Sequence, residues 1–288
     1  MDRTTISNGS LSATIKAAGA ELCSLLDEEG HELIWQAGPA WPRHAPILFP
    51  IVGRLKNDVL HHRGKTYPMK QHGFARDLRF AWSENLPDSC TLSLHDSEAT
   101  HAQYPFPFQL DVTFALHERS LTIVYDVTNK GDVGMPASIG AHPAFNWPLA
   151  SGADKSSHTI VFSQVEAAPI RRVSDGLLRA QTYPTPVQGT ILPLSETLFV
   201  DDAVIFEHLA SRSLRYDAPG QPGIEFSWQG FRELGLWSKP TGAPFLCIEP
   251  WHGFASPADF DGEFDDKPGL MHLAAGETRS FSHRVTVG

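Results

Sequence analysis

The chain has 288 residues, 41% of them hydrophobic and 19% charged, with 23 Lys and Arg against 33 Asp and Glu for a formal charge of −10. That apolar content excludes disorder as the main state. The acidic balance excludes a general nucleic-acid binder, which needs a basic footprint to displace counterions.

Strand patterns dominate the chain in order. Short apolar runs at Leu11 to Ile15, Leu78 to Trp82 and Thr91 to Leu94 predict strands. Asp96 to Tyr104 predicts one short helix, capped by Asp96 or Ser97 and stopped before Pro105. Leu110, Val112, Phe114 and Leu116 then alternate with polar residues, as do Leu121, Ile123, Tyr125 and Val127. Period two with a break at His117 to Ser120 predicts a hairpin of half-buried strands. Further runs fall at Ile160 to Phe162, Ile224 to Trp228, Leu234 to Trp237, Phe245 to Ile248 and Phe281 to Val287, with a short turn over Leu194 to Phe199. Turn residues separate them, among them Asn129 to Asp132, Pro219-Gly220 and Thr241-Gly242. Strands without intervening amphipathic helices predict an all-β fold, a large antiparallel β-sandwich. No composition shift or fixed-period repeat divides the chain, so a single domain over 1–288 is expected.

Met1 to Ser10 carries no apolar signal core, and the uncharged stretch Val133 to Ala153 is broken by Pro136, Pro143 and Pro148. Cys23, Cys90 and Cys247 are few and far apart. These features predict no membrane span and reduced thiols in a cytoplasmic protein.

Four segments set protonatable groups beside Gly, Pro and aromatic residues: Pro46 to Asn57, Gln71 to Asp77, Gly140 to Trp147 and Cys247 to Gly253. Singly, each candidate has a plain structural explanation. Glu249 ends an apolar run, His142 sits in an uncharged segment, His72 reads as a loop residue and Arg54 as a surface residue. Together, one carboxylate, two imidazoles, a guanidinium and Trp251 suit a sugar site. Aromatic faces cover pyranose C–H groups, charged planar groups take hydroxyls, and the carboxylate and imidazole move protons. A metal site built from His72, His142 and Glu249 is the rival, but HExxH, CxxC and helical i, i+4 histidine pairs are all missing. The chain also lacks GxSxG, GxGxxG and GxxxxGK[ST]. No metal and no cofactor are expected.

The segments FPIVGRLKND (Phe49 to Asp58), QHGFARD (Gln71 to Asp77), AQYPFPF (Ala102 to Phe108), GAHPAFNWPL (Gly140 to Leu149), LFVDDAVIFEHLASRS (Leu198 to Ser213), LGLWSKP (Leu234 to Pro240) and CIEPWHG (Cys247 to Gly253) are collinear motifs. In them the chain resembles the aldose 1-epimerase (galactose mutarotase-like) family, in its shorter LacX-type branch. The resemblance implies a supersandwich with an open cleft and a cofactor-free mutarotase acting on a small-molecule sugar, as monomer or homodimer. It implies Glu249 as general base, His142 as general acid and His72 as a donor near the ring oxygen. It implies Arg54 and Asp202 as sugar contacts, with Asp201 as the alternative to Asp202 by a one-residue slip. Ala141 before His142 and Pro143 after it depart from the better-studied branch. Two other functions stay open. One is a hexose-6-phosphate mutarotase, for which Arg54, Lys56 and Arg76 would supply charge; the other is a non-catalytic carbohydrate-binding protein.

Overall fold

The computed structural model describes residues 1–149, 152–220, 223–240 and 242–288. Thr241 of one predicted turn and two residues of the uncharged 133–153 stretch lie outside them. The fold is a large antiparallel β-sandwich. Its nine-stranded sheet runs in the order Ile191–Pro193, Thr159–Phe162, Ser213–Asp217, Ile224–Gln229, Thr278–Val287, Ser120–Asn129, Phe108–His117, Ser89–His95, Ala81–Asn85. The central pair is the predicted hairpin. Its buried and half-exposed positions alternate over both strands, and Glu118 turns the chain at φ +51°.

The facing sheet runs Val204–Phe206, Glu233–Trp237, Phe245–His252, Ile139–Ala141, Ile47–Leu48, with Ala144–Asn146 also paired to Phe245–His252. Aromatic contacts join the two layers: Phe145 meets Phe226 edge-on at 6.0 Å, and Phe49 lies 5.0 Å from Phe108. One apolar cluster runs from Ile6 to Val287 through both sheets. Among the described residues, no helix is long and apolar enough to cross a membrane.

One predicted element is shorter in the structure and another is displaced along the chain. The helix is a single turn, Glu98–His101. Its cap is as expected: Ser97 Oγ accepts from the Thr100 N–H, while Thr100 Oγ1 accepts from the Ser97 N–H. The turn stops early because Tyr104 is drawn into the core, where its hydroxyl donates to the Pro136 carbonyl at 2.6 Å. The strand expected from Leu78 begins at Ala81. The residues before it stitch to the loop near Ala17 instead, through Gly19 N–H to Leu78 O and Phe80 N–H to Ala17 O.

Candidate active site

The strand Phe245–His252 is buried at all eight positions. Leu246 and Ile248 point into the main core, so the alternate set Phe245, Cys247, Glu249 and Trp251 points to the other face. Glu249 is therefore placed by strand period on the side away from the core. His142 reaches it by register. Ile139–Ala141 and Ala144–Asn146 both pair with this strand, from Ile139↔His252 to Ala144↔Cys247, and the break between them at His142-Pro143 falls opposite Glu249. The pair meets with His142 Nε2 3.2 Å from Glu249 Oε2.

His72 is held by a different device. Its backbone is left-handed, at φ +66°. Its N–H donates to Gly53 O at 2.7 Å, and its Nδ1 accepts from the Gly53 N–H at 3.1 Å. That second bond leaves the ring proton on Nε2. Its ring stands edge-on to that of His142, centroids 5.8 Å apart. Gly73 makes this approach possible, since a Cβ at its φ of +69° would lie 2.2 Å from Phe49 O. Gly73→Ala is expected to lower stability by about 2–3 kcal/mol, read as a drop in Tm, because strain and a backbone clash coincide.

These groups line a cleft of about 230 Å³. Trp41 stacks on His142 at 5.0 Å, and Trp237 meets the same imidazole edge-on at 5.9 Å. Trp251 forms another wall, its indole seated against Gly140 and Gly235, where a Cβ would come within 2.7 and 2.5 Å of the ring. Of the two adjacent aspartates, Asp202 lines the cleft and Asp201 is not among its lining residues. Asp202 sits in a left-handed turn, φ +67°, with its Oδ1 accepting from the Ala203 N–H.

Arg54 lies beside the cleft-lining Gly176 and is ion-paired. Its Nε and Nη2 both donate to Asp58 at 2.6 Å, and it is absent from the cleft lining. The guanidinium that lines the cleft is Arg76, whose Nη2 donates to Gln71 O while its buried Nε, 3.9 Å from Asp77 Oδ2, has no hydrogen-bond partner among the described residues. The local reason is Asp58, four residues from Arg54 and close enough to form a forked ion pair. Trp41, Trp237 and Gln71 also line the cleft; Gln71 and Trp237 fall within the QHGFARD and LGLWSKP motifs without being singled out there, and Trp41 lies in no motif.

Burial dominates the electrostatics. It raises the Glu249 carboxyl well above its ordinary value, and the Asp202 charge adds to this. The Trp251 indole N–H opposes it weakly. His142 is pushed down to about 3, by burial first and then by the Arg76 and Arg43 charges. His72 is lowered well below normal, by burial and then by His142 and the same two arginines. Arg76 itself is brought down to about 10 by burial. Burial thus favours the neutral form of each partner, the protonated carboxyl and the uncharged imidazole, over the charged ones. Cys247 lies behind the pair, its thiol raised well above normal by burial and by Glu249. The His142 nitrogen, the Cys247 sulfur and the Glu249 carboxylate lie within 4.8 Å of one another, a grouping that sequence spacing did not disclose.

The same arrangement of sheets and cleft has known counterparts. The sequence profile of the aldose 1-epimerase family matches residues 2–266. The plasmid-borne protein LacX of Lactococcus lactis subsp. lactis is 34% identical over 294 residues, covering 98% of each chain. The crystal structure of a galactose mutarotase related enzyme from Lactobacillus acidophilus superposes with TM-score 0.93 at 33% identity, over 99% of this chain and 97% of that one. A galactose mutarotase-like protein from Lactobacillus casei superposes with TM-score 0.92 at 31% identity, over 99% and 100%. By profile and by overall likeness, the chain belongs to the aldose 1-epimerase family of isomerases.

Proposed function

We propose that the protein interconverts the α and β anomers of an unphosphorylated aldohexose by acid–base ring opening. The observation that carries this reading is the His142–Glu249 contact at 3.2 Å, inside a cleft walled by tryptophan rings. The two oxygens that exchange protons during ring opening are bonded to one carbon, so the acid and the base must stand side by side. Glu249 takes the proton of the anomeric hydroxyl, and His142 delivers one to the ring oxygen. The carboxyl with a neutral imidazole, and the carboxylate with an imidazolium, carry the same single proton. The reactive form therefore needs only a transfer across the existing contact. Sugar hydroxyls and the Trp251 indole N–H favour the carboxylate form, and His72 Nε2–H supplies a further donor. After rotation about the C1–C2 bond the ring closes on the other face with the proton roles reversed.

Arg76, Asp202 and Trp251 bind the sugar. A lost hydrogen bond to a charged group is worth about 1.5–3 kcal/mol. Arg76→Ala is therefore expected to raise KM by roughly 10- to 100-fold with kcat less affected, while Arg54→Ala leaves KM within about twofold. Steady-state kinetics on the two variants checks this, and the opposite ranking would return Arg54 to the sugar.

Of the three cations that would favour a phosphorylated substrate, Arg54 is bound to Asp58 and Lys56 lies 3.3 Å from Asp261. A phosphate dianion needs several converging donors. The expected kcat/KM for a free aldohexose is at least equal to that for its 6-phosphate. Polarimetry on a panel of α-anomers, with glucose 6-phosphate as competitor, tests the proposal. Far tighter inhibition or turnover of the phosphate, abolished by neutralising Lys56 or Arg76, would replace this reading with the sugar-phosphate one. Binding of the panel without any acceleration would support the carbohydrate-binding reading instead. Both protons are moved by side chains, so chelators are expected to leave the rate undiminished; loss on chelation, restored by one divalent ion, would contradict the mechanism.

A further inference from the structure

We propose that His142, Cys247 and Glu249 form a latent site for a thiophilic divalent cation of the Zn²⁺ class, and that this cation and the sugar exclude each other. Three features of the strand pairing create the site. Cys247 and Glu249 are two residues apart on one strand and so share a face. His142 falls opposite Glu249 by register, at the break between two strands that pair with the same partner. All three side chains are buried, and one donor atom from each lies within 4.8 Å of the others.

The donor set is one nitrogen, one sulfur and one oxygen, the mixture that zinc accepts and magnesium or calcium does not. Tetrahedral bonds of zinc length place donors roughly 3.3–3.8 Å apart, so side-chain movements of roughly 1 Å complete the site. Three protein ligands leave the fourth position open toward the cleft.

Charge balance favours the exchange. Cys247 and Glu249 coordinate as thiolate and carboxylate, any proton they hold passing to solvent, and His142 coordinates as the neutral imidazole. The two anionic ligands offset both charges of the cation, so the loaded cluster is neutral. Asp202, which lines the same cleft, offsets the repulsion from Arg76. The metal occupies the groups that the anomeric centre needs. Competition with sugar therefore rests on the mutarotase reading; uptake of the metal does not.

Titration of the native protein with Cd²⁺ is the test, read by the thiolate-to-cadmium charge-transfer absorption. One equivalent should saturate it. Cys247→Ala should abolish that site or weaken it at least ~10-fold, and Glu249→Gln should weaken it as well, with Cys23 and Cys90 unchanged in both variants. Zn²⁺ should inhibit anomer exchange competitively with the sugar and reversibly by chelator. Absence of the band in the native protein, or the same affinity in both variants, overturns the proposal. If Cys247→Ala does not fold, Glu249→Gln decides it alone. If the protein turns over no sugar, the cadmium titration still decides the site.

Discussion

Glu249→Gln is expected to lower kcat for anomer interconversion by roughly 10²- to 10⁴-fold, the range supplied by one positioned acid or base. The amide fills the same space and can still accept a hydrogen bond, but it cannot take the anomeric proton. The same variant is expected to be more thermostable than the native protein near neutral pH. Burial holds the Glu249 carboxyl well above its ordinary value. The stability contribution of a group raised in this way is fully present below its unfolded pKa and is lost as pH rises toward the folded one. Between those limits the unfolded chain releases a proton that the folded chain keeps, so ionisation favours unfolding. Glutamine carries no such penalty. The Tm gap between variant and native protein should therefore be small near pH 4 and widen toward pH 8. Scanning calorimetry across that range checks it; a variant less stable than the native protein at pH 8 would show that Glu249 is a structural anchor.

His142→Asn is expected to cost a comparable factor in kcat, and the double variant little more than either single one. The two residues stand 3.2 Å apart, and in the proposed mechanism they act as a unit, so removing either leaves the other without its partner. Multiplying losses, as from two independent contributors, would contradict a shared-proton mechanism. Stacking of Trp41 on His142 makes the asparagine a conservative choice for the fold, because the indole keeps its contacts with Phe245 and Trp237. Near-ultraviolet circular dichroism separates loss of chemistry from loss of packing.

Much of this was legible before the structure. The alternation over Leu110 to Val127 specified the central hairpin, because a period of two forces one face inward. His142 and Glu249 stood out as polar groups inside apolar runs, and their meeting follows from the register of the strands that carry them. What was not legible depends on which neighbour, near or distant in the chain, each side chain meets. Arg54 follows a glycine in a motif of the family, yet its direction is decided by Asp58 beside it. Arg76 stood out only as one of three cations that could favour a phosphate, whereas the fold buries most of its guanidinium at the cleft. Trp41 comes from a loop with no regular pattern, and its stacking on His142 depends on where that loop crosses the sheet. Cys247 read only as a reduced thiol, because His142, which completes its grouping with Glu249, comes from a segment more than a hundred residues away.

The central claim is that the His142–Glu249 pair opens the sugar ring. Exchange NMR on equilibrated α and β anomers of free aldohexoses, with chelator present, measures that step without coupling enzymes. Native protein should give anomer cross-peaks well above the spontaneous rate for at least one hexose, and the Glu249→Gln, His142→Asn double variant should return that hexose to within reach of the spontaneous rate. Native-like exchange in a folded double variant, or no acceleration by the native protein for any hexose of the panel, would contradict the account.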